Sequence, residues 1–178
     1  MLVTGHQGNW EWAANALALQ TNYQMGVIYK PLSNPYFDQL VKKIRQRFGK
    51  FTIHEKQVLR TMLQYDATPK ATAFVADQAP HPRHAHVVTF LNQPTYVTTS
   101  IEKLATKLNQ AVVYVHIRKI RRGYYTIELE LLVDAPTAMP AHRITELYIQ
   151  KLEAAILQQP ETWLWSHNRW KDSFKRPQ

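Results

Sequence analysis

The hydrophobic pattern of this chain switches repeatedly between a period of two and a period near 3.6, with no internal repeat and no low-complexity stretch. That alternation predicts an α/β fold. Leu2 to Gly5 reads as the end of a strand, and Asn9 as the N-cap of a helix from Trp10 to about Gln20 with Glu11 in its first turn. His6 then falls in a strand-to-helix turn. Gln24 to Lys30 predicts a second strand, after which Asn34 and Pro35 supply an N-cap and a first-turn proline for a helix that Gly49 ends. Its buried face is expected to hold Phe37, Leu40, Val41, Ile44 and Phe48. A helix from about Glu55 to Asp66, with Val58, Leu59, Met62 and Leu63 inward, precedes the apolar strand Ala71 to Ala76, which delivers Asp77 and Gln78 at its end.

The stretch from Ala79 to His86 holds two Pro and three His and reads as a loop, followed by a short strand from Val87 to Leu91 and a helix from Thr99 to Asn109. Ala111 to Arg118 and Tyr124 to Val133, both rich in Val, Ile and Tyr, flank Arg121, Arg122 and Gly123 as an antiparallel hairpin would, so the sheet is expected to be mixed. From Pro140 to Gln159, Ile144, Leu147, Tyr148, Leu152, Ala155 and Ile156 trace one helical face. Pro160 then restarts a short helix that would carry Trp163, His167 and Trp170 on one side.

Composition narrows this picture. A chain of 178 residues, 45% of them hydrophobic, is enough for one globular domain with a core. No apolar run reaches the length of a membrane-spanning helix, and the first residues lack the regions of a signal peptide. With no Cys, disulfides, thiolate nucleophiles and Cys-ligated metal sites are excluded. The formal charge of +9 selects anionic partners by sign only. Nucleic acid, anionic lipid headgroups, phosphorylated glycolipids and acidic carrier proteins all satisfy it, as does a merely solubilising charge.

The main chemical candidate is His6 with Glu11 five positions later. The spacing alone is weak, since chance supplies about 0.6 such pairs in a chain of this composition, and His167 with Asp172 forms a second. Context favours the first: Gly8 permits a tight turn, and a helix starting near Trp10 presents free N–H groups that suit an oxyanion. Glu11 would reach back to the His6 ring and steady the imidazolium. The residues alone are read equally well as His6 capping a strand while Glu11 complements the helix dipole.

The string Thr4 through Trp12, reading TGHQGNWEW, resembles the H-x-x-x-x-D/E block of the late lipid A biosynthesis acyltransferases, whose signature reads G-H-x-G-N-W-E. Further features follow in family order: Tyr29 through Leu32 with Asn34 and Pro35, Arg45 and Arg47 before Gly49, and the pair Asp77 and Gln78. Thr98 with Thr99, Leu104 with Ala105, Gly123 with Tyr124, and Pro160 and Glu161 leading into Trp163 through Lys171 complete the pattern. The resemblance covers essentially the whole chain. It implies a mixed, mostly parallel β-sheet flanked by helices, similar to glycerol-phosphate acyltransferases. It also implies transfer of a fatty acyl chain from an acyl carrier protein thioester to a hydroxyl of a lipid A precursor, at the cytoplasmic face of a bacterial inner membrane. His6 would be the general base and Glu11 its partner, with no covalent intermediate and no cofactor or metal. An anionic membrane surface is an expected partner and nucleic acid is not. Family members carry a membrane-spanning helix and a substantial segment ahead of the histidine block, whereas five residues precede His6; the expectation is a single catalytic domain over residues 1–178 without that anchor.

Substrate contacts are expected from Asn9, Arg45, Arg47 and Asp77. Two positions apart on a helix, Arg45 and Arg47 diverge by about 160° to 200° and cannot both face one ligand; motif position favours Arg47, on a phosphate or on the oxyanion. Cations there also suit the end of a helix dipole. Asp77 would either orient Arg47 through an ion pair or act directly. His81, His84 and His86 have no acidic residue among them, and a solvated loop accounts for them without a metal. Packing of Trp163 and Trp170 against the sheet, with Trp165 and Arg169 stacking on the other face, is preferred to an interfacial indole belt. Other functional classes stay open: transfer to another lipid or glycan, binding of anionic lipid without turnover, or a nucleic-acid binder whose salt-sensitive affinity ignores His6 and Glu11.

Overall fold

The computed structural model describes residues 1–171, apart from the side chain of His84. The first strand, β1 (Leu2–Thr4), is short because Gly5 and the turn at Gly8 end it, and Asn9 caps α1 (Trp10–Gln20) by accepting the Trp12 N–H at 3.2 Å. β2 (Gln24–Tyr29), α2 (Pro35–Arg45), β3 (Phe51–His54), α3 (Val58–Leu63) and β4 (Lys70–Val75) follow as two successive parallel crossovers. β5 (Ala85–Phe90) and β6 (Gln93–Thr98) form a separate two-stranded antiparallel ribbon. α4 (Ser100–Leu108) leads into the hairpin of β7 (Val112–Arg121) and β8 (Tyr124–Val133), and α5 (Arg143–Gln158) closes the fold.

The main sheet has the order β3-β2-β4-β1-β7-β8, parallel throughout except for β8. The expectation of a mixed, mostly parallel sheet flanked by helices therefore holds. Its two faces are covered unequally. On one, Val3, Phe74 and Tyr114 pack with Val58 and Met62 of α3, Ile101 and Ala105 of α4, and Ile144, Tyr148, Leu152 and Ile156 of α5. On the other, Leu2, Met25, Val115 and Ile117 meet Ala13 and Leu17 of α1 alone. β1 lies in the middle, and the chain leaves it toward one face and leaves β4 toward the other. In open α/β sheets such a divergence opens a crevice at the carboxyl ends of the strands.

Several expectations were overturned. α2 stops at Arg45, and Phe48 sits at φ 64° within a 3-10 turn over Arg47–Gly49. None of α2 is buried: Phe37, Leu40, Ile44 and the nearby Phe48 point to solvent, and only Val41 of the expected apolar face is half-buried. α3 is half the expected length, with Leu63 exposed. β3 and β6 were not anticipated, because four residues of alternating polarity in one, and Pro94 in the other, give little signal until a neighbouring strand supplies the ladder. The segment after Pro160 is a 3-10 turn followed by extended chain, in which Trp163 bridges Gln7. Trp163 and Trp170 do pack in the core, with ring centroids 6.2 Å apart. Arg169 does not stack in the open; it is buried and donates from Nη2 to the Tyr96 carbonyl at 2.5 Å. Asp172, the second candidate partner of a histidine, lies outside the described residues.

Leu152 is enclosed by the core while Leu157, on the same helix, is exposed. Leu152→Ala is expected to lower the free energy of unfolding in urea by about 2–5 kcal/mol, and Leu157→Ala by less than about 0.5 kcal/mol. Equal losses would contradict the packing described.

Candidate active site

Parallel pairing of β1 with β4 sets Thr4 beside Val75, so two residues beyond each strand end His6 comes beside Asp77. The His6 Nδ1–H donates to Asp77 Oδ1 at 2.5 Å, and the His6 backbone N–H donates to Asp77 Oδ2 at 2.9 Å. A third donor, the Trp163 indole N–H, reaches Asp77 Oδ2 at 2.8 Å. Burial pushes the Asp77 carboxyl up, but the His6 hydrogen bond and charge, with the bonds from Trp163 and the His6 N–H, outweigh it and leave it below its ordinary value of 3.8. The group is therefore an ionised acceptor at neutral pH, which requires the proton on His6 Nδ1 and leaves Nε2 as the ring nitrogen that Asp77 does not engage. Asp77 is 4% exposed at its side chain and His6 18%, so the dyad is covered behind and open at the imidazole.

The turn that carries His6 is held from several sides. Gly8 adopts φ +59°, and a Cβ there would stand 2.9 Å from Ile117 Cγ2. The Gly8 N–H donates to the Thr162 carbonyl at 2.9 Å, the Leu164 N–H to the His6 carbonyl at 3.0 Å, and Gln7 Nε2 to the Ala155 carbonyl at 2.8 Å. The His6 ring lies edge-on to Trp10, with centroids 5.0 Å apart. At the end of β4, the Ala76 N–H donates to the Thr4 carbonyl, and the Tyr148 hydroxyl donates to the Ala76 carbonyl at 3.2 Å.

His6 opens into a cleft of about 460 Å³ that runs over the carboxyl edge of the sheet. Its polar rim includes Glu11, Lys30, Arg45, Gln78, Thr98 and Ser100, and its apolar floor includes Leu17, Met25, Val27, Ala73, Val115 and Ile117. Trp10 and Glu11 carry first-turn N–H groups of α1 that have no partner among the described residues. The site thus combines an imidazole nitrogen not engaged by Asp77, helix N-terminal donors, a guanidinium and an apolar floor. Such a set suits proton abstraction from a group held beside an apolar chain.

The expected residues are distributed differently from the motif. Glu11 does not bond His6: its carboxylate accepts from Arg45 Nη2 at 2.5 Å and Nε at 3.4 Å, and Asp77 takes the place beside the imidazole. Side chains five apart across a helix start diverge, whereas the parallel register faces the two strand ends. Arg45, not Arg47, lines the cleft; Arg47 is on the 3-10 turn with its guanidinium 5.3 Å from the Phe48 ring. Asp77 is accordingly paired with His6 and not with Arg47. Asn9 caps α1 and is not part of the cleft wall. A contributor was missed: Trp163, whose indole completes the shell of Asp77. The sequence signals at Trp163 were the density of Trp near the end of the chain and the string from Trp163 to Lys171, and neither pointed to Asp77. Lys50 is buried and donates to Asn15 Oδ1 outside the cleft lining, and burial lowers its pKa. Of the loop histidines, His86 stacks on His142 with centroids 4.0 Å apart, and His81 caps the turn over Pro82–His84.

Because the Asp77 pKa is depressed in the fold, its stabilising contribution is complete above the ordinary value of 3.8 and is lost as pH falls through the lower folded value. Asp77→Asn is expected to be less stable than the parent in urea at neutral pH, with the gap narrowing below pH 3.8. A gap that stays constant or widens on acidification would mean that Asp77 is not the ionised partner of His6.

A family model described as bacterial lipid A biosynthesis acyltransferase matches residues 1–172. No curated protein matches the chain.

Proposed function

This chain belongs to the bacterial lipid A biosynthesis acyltransferase family, and from that premise we propose that it is a single catalytic domain. In this proposal it transfers a fatty acyl group from an acyl carrier protein thioester to a hydroxyl of a lipid A precursor, with His6 as general base. The observation that carries the proposal is the short contact of His6 Nδ1 with Asp77, which leaves Nε2 as a base at the cleft.

An alcohol is a weak nucleophile near neutral pH, so it must lose its proton as it attacks. His6 Nε2 accepts that proton while the alcohol oxygen forms a bond to the thioester carbonyl carbon, giving a tetrahedral oxyanion. Asp77 keeps the imidazole in the required tautomer and stabilises the imidazolium electrostatically. When the carbon–sulfur bond breaks, the departing thiolate takes the proton back from His6 Nε2, and ester and free thiol leave. No residue is acylated, consistent with a chain that has no Cys. The first-turn N–H groups of α1 are suited to the oxyanion. Glu11 has a positioning role here: it holds Arg45 at the rim, where the guanidinium meets a phosphate of an anionic substrate. The apolar floor is suited to the acyl chain. Among the described residues no helix is long and apolar enough to cross a membrane; in this proposal the domain works at the cytoplasmic face of the inner membrane.

Incubation with acyl carrier protein thioesters and lipid A precursor, following thiol release, tests these roles. His6→Ala and Asp77→Asn are each expected to lower kcat by about 10²-fold or more. Arg45→Met and Glu11→Gln are expected to act mainly on KM for the phosphorylated acceptor. Near-normal turnover of His6→Ala would remove the general base, and a kcat loss for Glu11→Gln as deep as that for His6→Ala would restore Glu11 to the chemical step. Transfer only to a different lipid would leave the mechanism and change the acceptor.

A further inference from the structure

α2 is built inside out. The residues it turns toward the protein, spaced as one helical face, are Asp38, Val41, Lys42 and Arg45. Three of these are charged and all three are engaged. Asp38 accepts the Leu32 N–H at 2.9 Å and pairs with Lys42 at 2.8 Å, Lys42 Nζ lies 4.9 Å from the Tyr29 ring centroid, and Arg45 bonds Glu11. The opposite face carries Tyr36, Phe37, Leu40 and Ile44, which are 82%, 61%, 51% and 55% exposed. Leu32 and Phe48 extend the stripe at its two ends, also exposed. Single apolar residues are common on protein surfaces, but a continuous stripe with bulky side chains on an outward helix face marks a contact surface.

Charge and position identify what covers it. Between Lys30 and Lys50 the only acidic residue is Asp38, already turned inward, while Lys30, Lys43 and Arg47 are exposed around the stripe. An apolar stripe whose exposed charged neighbours within its own segment are all cations matches a surface with hydrocarbon below and anionic headgroups above. A second copy fits worse, since a two-fold contact through α2 would set the same cationic rim against itself. The cleft opens beside this helix, with Tyr29, Lys30 and Arg45 in its wall.

We propose that α2 is an interfacial helix. It lies in the plane of an anionic lipid surface with Tyr36, Phe37, Leu40 and Ile44 at the boundary of headgroups and acyl chains, and so sets the mouth of the cleft against the membrane. A lipid acceptor then reaches His6 without its chains crossing water. The inference deepens the acyl-transfer proposal and rests on it for the identity of what enters the cleft, but the contact with lipid is independent of turnover.

Flotation with phosphatidylcholine vesicles, with and without phosphatidylglycerol, tests it. The wild-type chain is expected to bind the anionic vesicles more tightly and to release as salt is raised. The double variant Leu40→Glu/Ile44→Glu is expected to lose about ten-fold or more in partitioning, with its fold checked by circular dichroism. Leu157→Glu, at an exposed position of α5, is expected to bind as wild type, and so is His6→Ala, which separates membrane contact from catalysis. The proposal is overturned if the wild type ignores anionic vesicles, if the double variant binds them normally, or if Leu157→Glu loses as much. It is equally overturned if sedimentation shows a dimer that the double variant splits, or if the double variant floats normally while losing acyl carrier protein.

Discussion

The Asp77 carboxylate is the tie on which the cleft depends. It receives the His6 ring, the His6 backbone N–H and the Trp163 indole, and so binds together the end of β1, the end of β4 and the segment that follows α5. Three donors on one buried carboxylate keep it ionised against the cost of burial. Removing any of them leaves charge or a donor uncompensated in a region with little water access, and for that reason the tie is rigid as well as polar. Gly5 lies within it: a Cβ there would stand 2.5 Å from Leu152 Cδ1 and 3.2 Å from Asp77 Oδ2.

The unequal cover of the sheet explains why this tie borders a cavity. Three helices fill one face, whereas on the other α1 is the only helix in the buried cluster, and the connections from β1 and β4 depart in opposite directions. Apolar side chains of β2, β4 and β7 therefore reach the cleft without a second helix over them. A polar constellation at the rim and an unfilled apolar floor are two results of one topology. The helix α2 adds a third, for it directs Asp38, Lys42 and Arg45 inward to Leu32, Tyr29 and Glu11 and leaves its apolar face free.

Elements governed by local pattern were legible in the chain. α1 with its Asn9 cap, α5 with its apolar face, the β7–β8 hairpin and the placement of His6 in a turn all follow from period, cap and turn chemistry within a few residues. The same periodicity misled at α2. Apolar residues recurring every three or four positions give a helix an apolar side, and only the surrounding contacts decide whether that side faces inward or outward. After Pro160, Trp residues spaced by seven suggested a helix, while the extended chain that forms there is held by Gln7 and His6 from the far end of the sequence.

The residues by themselves determined the family, the α/β class and the chemical inventory of the histidine turn, because each is carried by short strings and local periods. Only the tertiary structure decided which carboxylate faces His6, which arginine enters the cleft and which way α2 looks. Glu11 is five residues from the imidazole in sequence and belongs to Arg45, whereas Asp77 is 71 residues away and bonds it. The register of two parallel strands sets that pairing, and register arises from the packing of the whole sheet rather than from any local string.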